Sequence, residues 1–163
     1  MWITSLCSFP PLFTHAPIAL DKAGASVSAP LSVPVTKKYP LILNFEFPSV
    51  DARLKDEIVG SRHDENCLDG IKYTEIPEAK RLGLGRPIPI RVVIRKNSDK
   101  SVVVDHVFNS LCITSHIDNK KTRTIGWLDL AEGNYTAEVI SLEAQSGLEH
   151  VKTSISLVAG YGK

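Results

Sequence analysis

The sequence lacks an excess of charge of either sign. Its 163 residues include 19 Lys and Arg against 18 Asp and Glu, a formal net charge of +1 at pH 7. Nucleic-acid binding needs a basic stripe that neutralises several phosphates, so no nucleic-acid partner is predicted. The small basic clusters are interpreted as solvated faces of strands and turns. They are Arg91, Arg95 and Lys96, and Lys120, Lys121 and Arg123.

The short signatures of nucleotide, hydrolase, zinc-protease and redox chemistry are also missing. There is no Gly-x-x-x-x-Gly-Lys-Ser/Thr loop, no Gly-x-Ser-x-Gly elbow, no His-Glu-x-x-His and no Cys-x-x-Cys. Their absence predicts a protein that is not an enzyme and has no cofactor. The alternative is an enzyme of an unrecognised class that uses scattered residues such as His63, Asp64 or His106. That alternative requires a pocket with convergent titratable groups.

A metal site is not predicted, although suitable residue types occur close together in the sequence. Asp105, His106, Cys112, His116 and Asp118 are of the kinds that bind zinc, but their spacing matches no familiar zinc-binding frame. They also straddle a predicted strand pair, where neighbouring side chains point to opposite faces. We interpret them as surface and half-buried polar residues.

The chain has no apolar run long enough for a transmembrane helix, which needs about 20 residues. The first twenty residues contain no Lys or Arg, and Pro10, Pro11 and Pro17 interrupt them. The apolar stretch from Trp2 to Phe13, followed by Thr14-His15-Ala16, resembles the second half of a secretory signal whose basic beginning is missing.

This resemblance to a signal predicts an exported protein, periplasmic or held at the outer envelope. Residues 1–22 are expected to be a leader remnant that is disordered or removed, and residues 23–163 to form a single domain. A lipid anchor on Cys7 is a weaker alternative, because Leu6 occupies the position where lipoprotein signals need a small residue.

Cysteine is scarce, with three residues at Cys7, Cys67 and Cys112. Removal of the leader would leave two, the even count that an oxidising compartment favours. We therefore predict a disulfide between Cys67 and Cys112, with two buried thiols as the alternative.

Hydrophobic residues recur with a period of two, which predicts β-strands. The strand segments are Gly24 to Val35, Tyr39 to Phe47, Pro87 to Lys96, Ser101 to Phe108, Leu111 to Ile117, Thr122 to Leu130, a strand from Tyr135, and Glu149 to Ala159. Such a series of short strands predicts a mainly β fold, a two-sheet antiparallel β-sandwich of immunoglobulin-like, Greek-key type with one short helix.

Turn residues place several of these strands. Pro30 and Pro34 cannot donate to a ladder, so the first strand is predicted at an edge. The polar turn Asn97 to Lys100 predicts a hairpin between its flanking strands. Gly133 and Tyr135, after Leu130, form the arrangement of a tyrosine corner, in which the phenol bonds back to the main chain. Trp127 is predicted in the core.

The helix is predicted after Ser49, which can act as its N-cap. Its inward stripe would be Val50, Leu54 and Ile58, with Gly60 as terminator. The following segment, Ser61 to Arg86, shows no sustained period, and a stretch of this length without regular structure is either functional or mobile.

Five of these core strands and turns, none of them catalytic, occur in a characteristic order: Pro17 to Val35, Tyr39 to Phe47, Ala52 to Gly60, Gly85 to Ile94 and Leu128 to Leu142. In this order they resemble a family of exported bacterial proteins, domain of unknown function 5625. The resemblance implies an exported β-sandwich domain, often preceded by a signal or lipoprotein leader, and implies little about activity.

The sequence therefore predicts a non-catalytic, protein-binding module of the bacterial envelope, of the immunity or inhibitor kind. Loops on a rigid scaffold commonly carry recognition, so the segment Ser61 to Arg86 is the predicted contact region for an unknown protein partner. Its candidate contact residues are Arg62, His63, Asp64 and Glu65. A third alternative, besides the enzyme, is a structural envelope subunit joined by strand exchange through Ala25 to Val35.

Overall fold

Nine strands and one α-helix make up the regular structure of the computed structural model, which describes residues 12–67 and 71–159. The strands are β1 (Phe13–Pro17), β2 (Ser26–Val33), β3 (Lys37–Glu46), β4 (Ile88–Lys96), β5 (Val102–Ser110), β6 (Ser115–Ile117), β7 (Lys120–Leu130), β8 (Gly133–Ser141) and β9 (Lys152–Leu157). The helix α1 spans Val50–Lys55, and 3-10 turns lie at Glu65–Cys67, Tyr73–Glu75 and Glu78–Lys80.

The strands form two antiparallel sheets packed face to face. Sheet A has the order β1-β9-β3-β7-β6, and sheet B has the order β2-β8-β4-β5. Inward residues of both sheets meet in one core, where Leu41 is 1% exposed and Ile90 and Ile155 are 0% exposed. Each such side chain contributes roughly 1.5–3 kcal/mol by leaving water. The predicted two-sheet sandwich is confirmed.

The turn residues position the neighbouring strands as predicted. β2, with Pro30 inside it, is an edge strand of sheet B, and β4 and β5 pair across the Asn97 to Lys100 turn. The Tyr135 hydroxyl donates to Ala131 O at 2.7 Å, so the tyrosine corner is confirmed. A second, unpredicted corner has the same form, because the Tyr39 hydroxyl donates to Val35 O.

Residues 12–22 belong to the sandwich in the structure. Strand β1 pairs with β9 at the edge of sheet A, and Ile18 and Leu20 are buried in the core. Prolines disqualify this stretch as a spanning helix, but an edge strand tolerates Pro17 at its end. Cleavage after residue 22 would remove this strand and both core side chains. Leader removal stays a prediction, and Cys7 lies outside the described residues.

The short helix differs from its prediction. Ser49 caps it, accepting from Ala52 N at 3.0 Å, but α1 ends at Lys55 and leaves Val50 and Leu54 exposed, so the predicted inward stripe is wrong. The cause is Asp56, whose carboxylate accepts the next backbone N–H groups and turns the chain. None of the helices in the described residues has the length and apolarity that crossing a bilayer requires.

Candidate functional site

The irregular segment 61–86 is fixed to the sandwich by covalent and polar contacts. Cys67 and Cys112 form the disulfide that the sequence predicts, with Cα atoms 5.9 Å apart. The Arg62 guanidinium donates to Leu82 O at 2.6 Å and Lys80 O at 2.5 Å, and so ties the two limbs of the segment together. Beneath it lies a small separate core of Ile76, Leu84 and Cys112. Contacts of this kind leave no periodic pattern in a sequence.

The predicted contact residues have different roles in the structure. Arg62 also donates to Asp64 at 2.5 Å, and this hydrogen bond holds the pKa of Asp64 below the ordinary carboxyl value. Asp64 accepts the Asn66 N–H at 2.8 Å, so both residues organise the segment internally. Glu65 is exposed at the first 3-10 turn. Of the four, only His63 lines the groove beside the segment.

This groove, about 830 Å³ in volume, lies on the open flank between the two sheets. Strand β5 ends sheet B on that side. In sheet A, β6 pairs only with Lys120–Thr122 of β7, so in the described residues no strand pairs with Thr124–Leu130 on that side. Two strand edges therefore border the groove, and the segment 61–86, with the chain before β6, closes one end.

Aromatic side chains line or support the groove. Trp127 is 58% exposed there, so its prediction as a core residue is wrong. The cause is a β-bulge: Leu41 pairs with Gly126 and Ile42 with Thr124, which reverses the alternation beyond Ile125. Phe108 packs over Gly126, where a Cβ would come within 2.3 Å of its ring, and His106 stands edge-on to Phe108 at 4.4 Å.

The charge of the groove lining has one sign. Lys72, His63 and His106 line it, and no Asp or Glu among the described residues does. Tyr73 and Trp127 add rings with polar tips, and Asn66 and Asn109 add amide groups. The site is therefore suited to an occupant with both apolar and anionic groups.

A buried charge cluster, missed by sequence reasoning, anchors the base of this segment. Lys121 and Arg123 are buried, so their prediction as solvated residues is wrong. Lys121 Nζ contacts Asp56 Oδ2 at 2.7 Å and Gly60 O at 2.5 Å. Arg123 donates to Val59 O at 2.8 Å and to Ser110 O at 2.8 Å. Buried cations need such partners, and these link β7 to the residues just before the segment and to the end of β5.

Burial lowers the pKa of Arg123 to about 9, and the Asp56 carboxylate opposes that shift. The guanidinium is therefore still charged at neutral pH. Gly85 makes this packing possible, since a Cβ there would lie 2.7 Å from Arg123 Nη2. The segment returns to the sheet at this point, where Arg86 N donates to Ile58 O at 2.7 Å.

The candidate zinc-binding residue types are dispersed. Asp105 is held by Arg91, whose hydrogen bonds lower the pKa of the carboxyl group. Cys112 is in the disulfide, and His116 Nδ1 lies 3.0 Å from Arg53 Nη1. Across the described residues, no three His, Cys, Asp or Glu side chains are grouped so that they could hold a metal ion.

A second groove, of about 530 Å³, crosses the outer face of sheet A. In it His15 Nδ1 lies 3.3 Å from Ser154 Oγ, and Asn44 Nδ2 donates to Ser156 Oγ at 3.0 Å. His15 has a φ of 48°, an uncommon value for a non-glycine residue, next to the bulge in β1. Sequence reasoning missed this cluster because it placed His15 in the leader.

The fold and the groove define a class: an antiparallel β-sandwich domain with a disulfide-tied segment beside an open flank. The profile of the family described as domain of unknown function 5625 matches residues 15–159. The chain belongs to this family, and the resemblance seen in its sequence is confirmed.

Comparison with solved structures supports the fold. A crystal structure of a protein from Sulfurospirillum deleyianum superposes with a TM-score of 0.61 and 21% sequence identity, covering 87% of this chain and 94% of that chain. At this identity the similarity shows a shared fold alone. No curated protein matches the chain significantly.

Proposed function

We propose that this chain is a non-catalytic protein-binding module of the bacterial cell envelope, and that the groove between β5 and β7 is its binding site. The observation that carries the proposal is the open flank itself. Two strand edges border it, and Trp127, 58% exposed, lies in it. Tryptophan and tyrosine are enriched among the residues that dominate protein–protein binding energy.

Preorganisation supports a binding role for the segment 61–86. The Cys67–Cys112 disulfide and the Arg62 hydrogen bonds hold its described residues, 61–67 and 71–86, in place before a partner arrives. A loop that is already ordered loses less conformational entropy on binding, so more of the contact energy appears as affinity. Rigid sandwiches commonly present recognition loops in this way.

The envelope location is supported by the disulfide, because such bonds persist in oxidising compartments and are rare in the cytosol. An immunity or inhibitor protein is the sub-class that this arrangement fits, since both act by occluding a partner and need no chemistry of their own. The alternative of a strand-exchanged subunit finds less support, because β2 pairs with β8 from Ser26 to Val33.

Two of the three residues named for the enzyme alternative lie in the same groove. His63 and His106 both line it, whereas Asp64 is bonded to Arg62 and Asn66. Catalysis would need groups that converge on one reacting atom. The partner-binding proposal requires only the surface and the rigid segment, so it is the one we favour.

Site-specific photo-crosslinking in the native host tests the proposal. A photoreactive residue replaces Asn109, which is exposed and lines the groove, and the matched control carries it at Ser28, exposed on β2. We expect one discrete adduct from position 109 and none from position 28. Adding Trp127→Ala should reduce the adduct at least about tenfold, the loss expected at a binding hot spot. No adduct, or equal adducts at both positions, would exclude the groove as the site.

A further inference from the structure

We propose, on the basis of the proposed function, that the partner contributes an extended acidic peptide segment, which adds to sheet B as a fifth strand alongside β5. In this mode main-chain hydrogen bonds supply affinity, and alternate side chains supply specificity.

Among the described residues, β5 is the longest edge strand of the sandwich and the least protected against pairing. Natural edge strands are commonly short, bulged or interrupted by proline, which prevents unwanted pairing. β6 has three residues, β1 has a bulge between Phe13 and Ala16, and β2 contains Pro30. β5 has nine residues and no proline, and its one bulge, at Val103, leaves residues 104–110 in regular register with β4.

The side chains of β5 also favour pairing. Val102, Val103 and Val107 are 49%, 40% and 43% exposed, and β-branched residues suit a paired strand. Asp105 is the one carboxylate on the strand, and Arg91 binds both its oxygens, at 2.9 Å each. An incoming strand therefore meets apolar side chains and a charge that is already neutralised.

The backbone groups available to a partner can be assigned. Leu142 N donates to Pro89 O, and Lys96 N donates to Ser101 O. The backbone N–H and C=O groups of the even-numbered residues of β4 therefore point toward β5. Since Ile90 pairs with Phe108 and Arg91 with Val107, Phe108 bonds to β4. The N–H and C=O of Val107 point to the free edge.

Charge complementarity identifies the occupant as acidic. Among the described residues, Lys72, His63 and His106 line the groove and no carboxylate does, and the side chain of His106 belongs to β5 itself. Alternate side chains of an added strand would face the same groove. The β4–β5 hairpin adds three basic side chains, Arg95, Lys96 and Lys100, against one carboxylate, Asp99. Carboxylates on the incoming strand would lie near Lys72 and the basic side chains of this hairpin.

Selection from a display library of random nine-residue peptides against the full chain tests this inference. We expect enrichment of peptides with Asp or Glu at alternate positions, whose affinity falls at least about tenfold between 50 and 500 mM salt because exposed charges are screened. N-methylation of the alternate backbone nitrogens that face β5 in a selected peptide should abolish binding, and N-methylation of the other alternate set should not.

The protein-side variant is Val107→Pro, which removes the outward N–H but no bond to β4, a position where edge strands tolerate proline. The matched control, Val107→Thr, keeps the donor and the β-branched shape. We expect a loss of selected-peptide affinity of at least about tenfold for Val107→Pro and less than about twofold for Val107→Thr.

The outcomes separate this inference from the proposed function. In one outcome, position 109 still crosslinks to the partner while neither Val107→Pro nor N-methylation changes peptide affinity. That result would keep the groove as the binding site and overturn strand addition. If no peptide is enriched, or if basic peptides are enriched, the inference that an acidic segment adds to β5 is overturned. A dimer in light scattering that Val107→Pro converts to a monomer would make a second copy the occupant, and would overturn it too.

Discussion

Lys121 Nζ lies 2.7 Å from Asp56 Oδ2, and both side chains are only 4% exposed. The same carboxylate accepts from the backbone N–H groups of Ile58, Val59 and Gly60. One acidic side chain therefore ends helix α1, shapes the turn after it and neutralises a buried lysine of β7. The stability of the sandwich and the position of the segment 61–86 both depend on this contact.

The first prediction concerns that pair. Asp56→Ala should lower the free energy of unfolding by about 3–5 kcal/mol, because it leaves Lys121 buried without a counter-charge. The matched control is Asp51→Ala, whose pair with Lys55 is about three-quarters exposed and should contribute about 0.5 kcal/mol or less. Urea denaturation measures both, and equal effects would contradict the prediction.

The second prediction concerns the disulfide. Cys67 and Cys112 are separated by 45 residues, and closing a loop of this size stabilises a fold by about 4 kcal/mol in the chain-entropy description. The double variant Cys67→Ala/Cys112→Ala should lose most of that stability in urea denaturation. Reductant should destabilise the parent chain and leave the double variant unchanged. A parent chain that is insensitive to reductant would be evidence against the bond.

The third prediction concerns pH. Hydrogen bonds from Arg62 and Arg91 lower the pKa values of Asp64 and Asp105 in the folded chain. Aspartates in the unfolded chain titrate near pH 4, so the stabilisation from these two hydrogen-bonded carboxylates is complete above that pH. It is lost as the pH falls through the lower pKa values that they have in the folded chain. The Tm of the parent chain should therefore decrease when the pH is lowered below about 4.

The control for the pH prediction is a pair of variants measured over the same range. Asp64→Asn/Asp105→Asn should flatten the acid limb of the Tm profile, since neither side chain then titrates. Asp129→Asn, at a carboxylate that is 77% exposed, should leave the limb unchanged. Parallel curves for the parent and the double variant would show that other groups control the acid response.

The fourth prediction concerns the bulge beside the groove. Gly126→Ala should destabilise the chain by about 1–3 kcal/mol, because the new methyl group overlaps the Phe108 ring. Phe108→Leu should relieve that overlap, so the double variant should be less destabilised than the sum of the two single variants. A double-mutant cycle measures the coupling, and simple additivity would contradict the packing described here.

Alternation of side chains was sufficient to predict most of the sandwich. Leu41, Ile90 and Ile155 are buried because an antiparallel sheet with one dry face sorts residues by parity. The tyrosine corner and the β4–β5 hairpin followed from local turn chemistry in the same way. These features depend on residues near each other in sequence, so single-sequence reasoning can reach them.

The site depends on contacts that are distant in sequence, and apart from the Cys67–Cys112 disulfide these contacts were not predicted. The alternation of side chains along β7 places Lys121 and Arg123 on the same face as Ile125. They were nevertheless assigned to the surface because they are charged. Asp56, their partner, lies more than 60 residues earlier. Trp127 was assigned to the core because the prediction did not include the extra residue that the bulge adds to β7. Gly126 was the available signal, because glycine inside a strand often marks a bulge or a close approach.

The segment 61–86 closes on itself where it meets the sandwich. Ser61 N donates to Gly83 O at 2.8 Å, and Arg86 N donates to Ile58 O at 2.7 Å, so its entry and exit lie side by side. A segment joined to its scaffold in this manner can change in length and composition without displacing a strand. Variation in this segment would therefore change the surface beside the groove while leaving the folding unit intact.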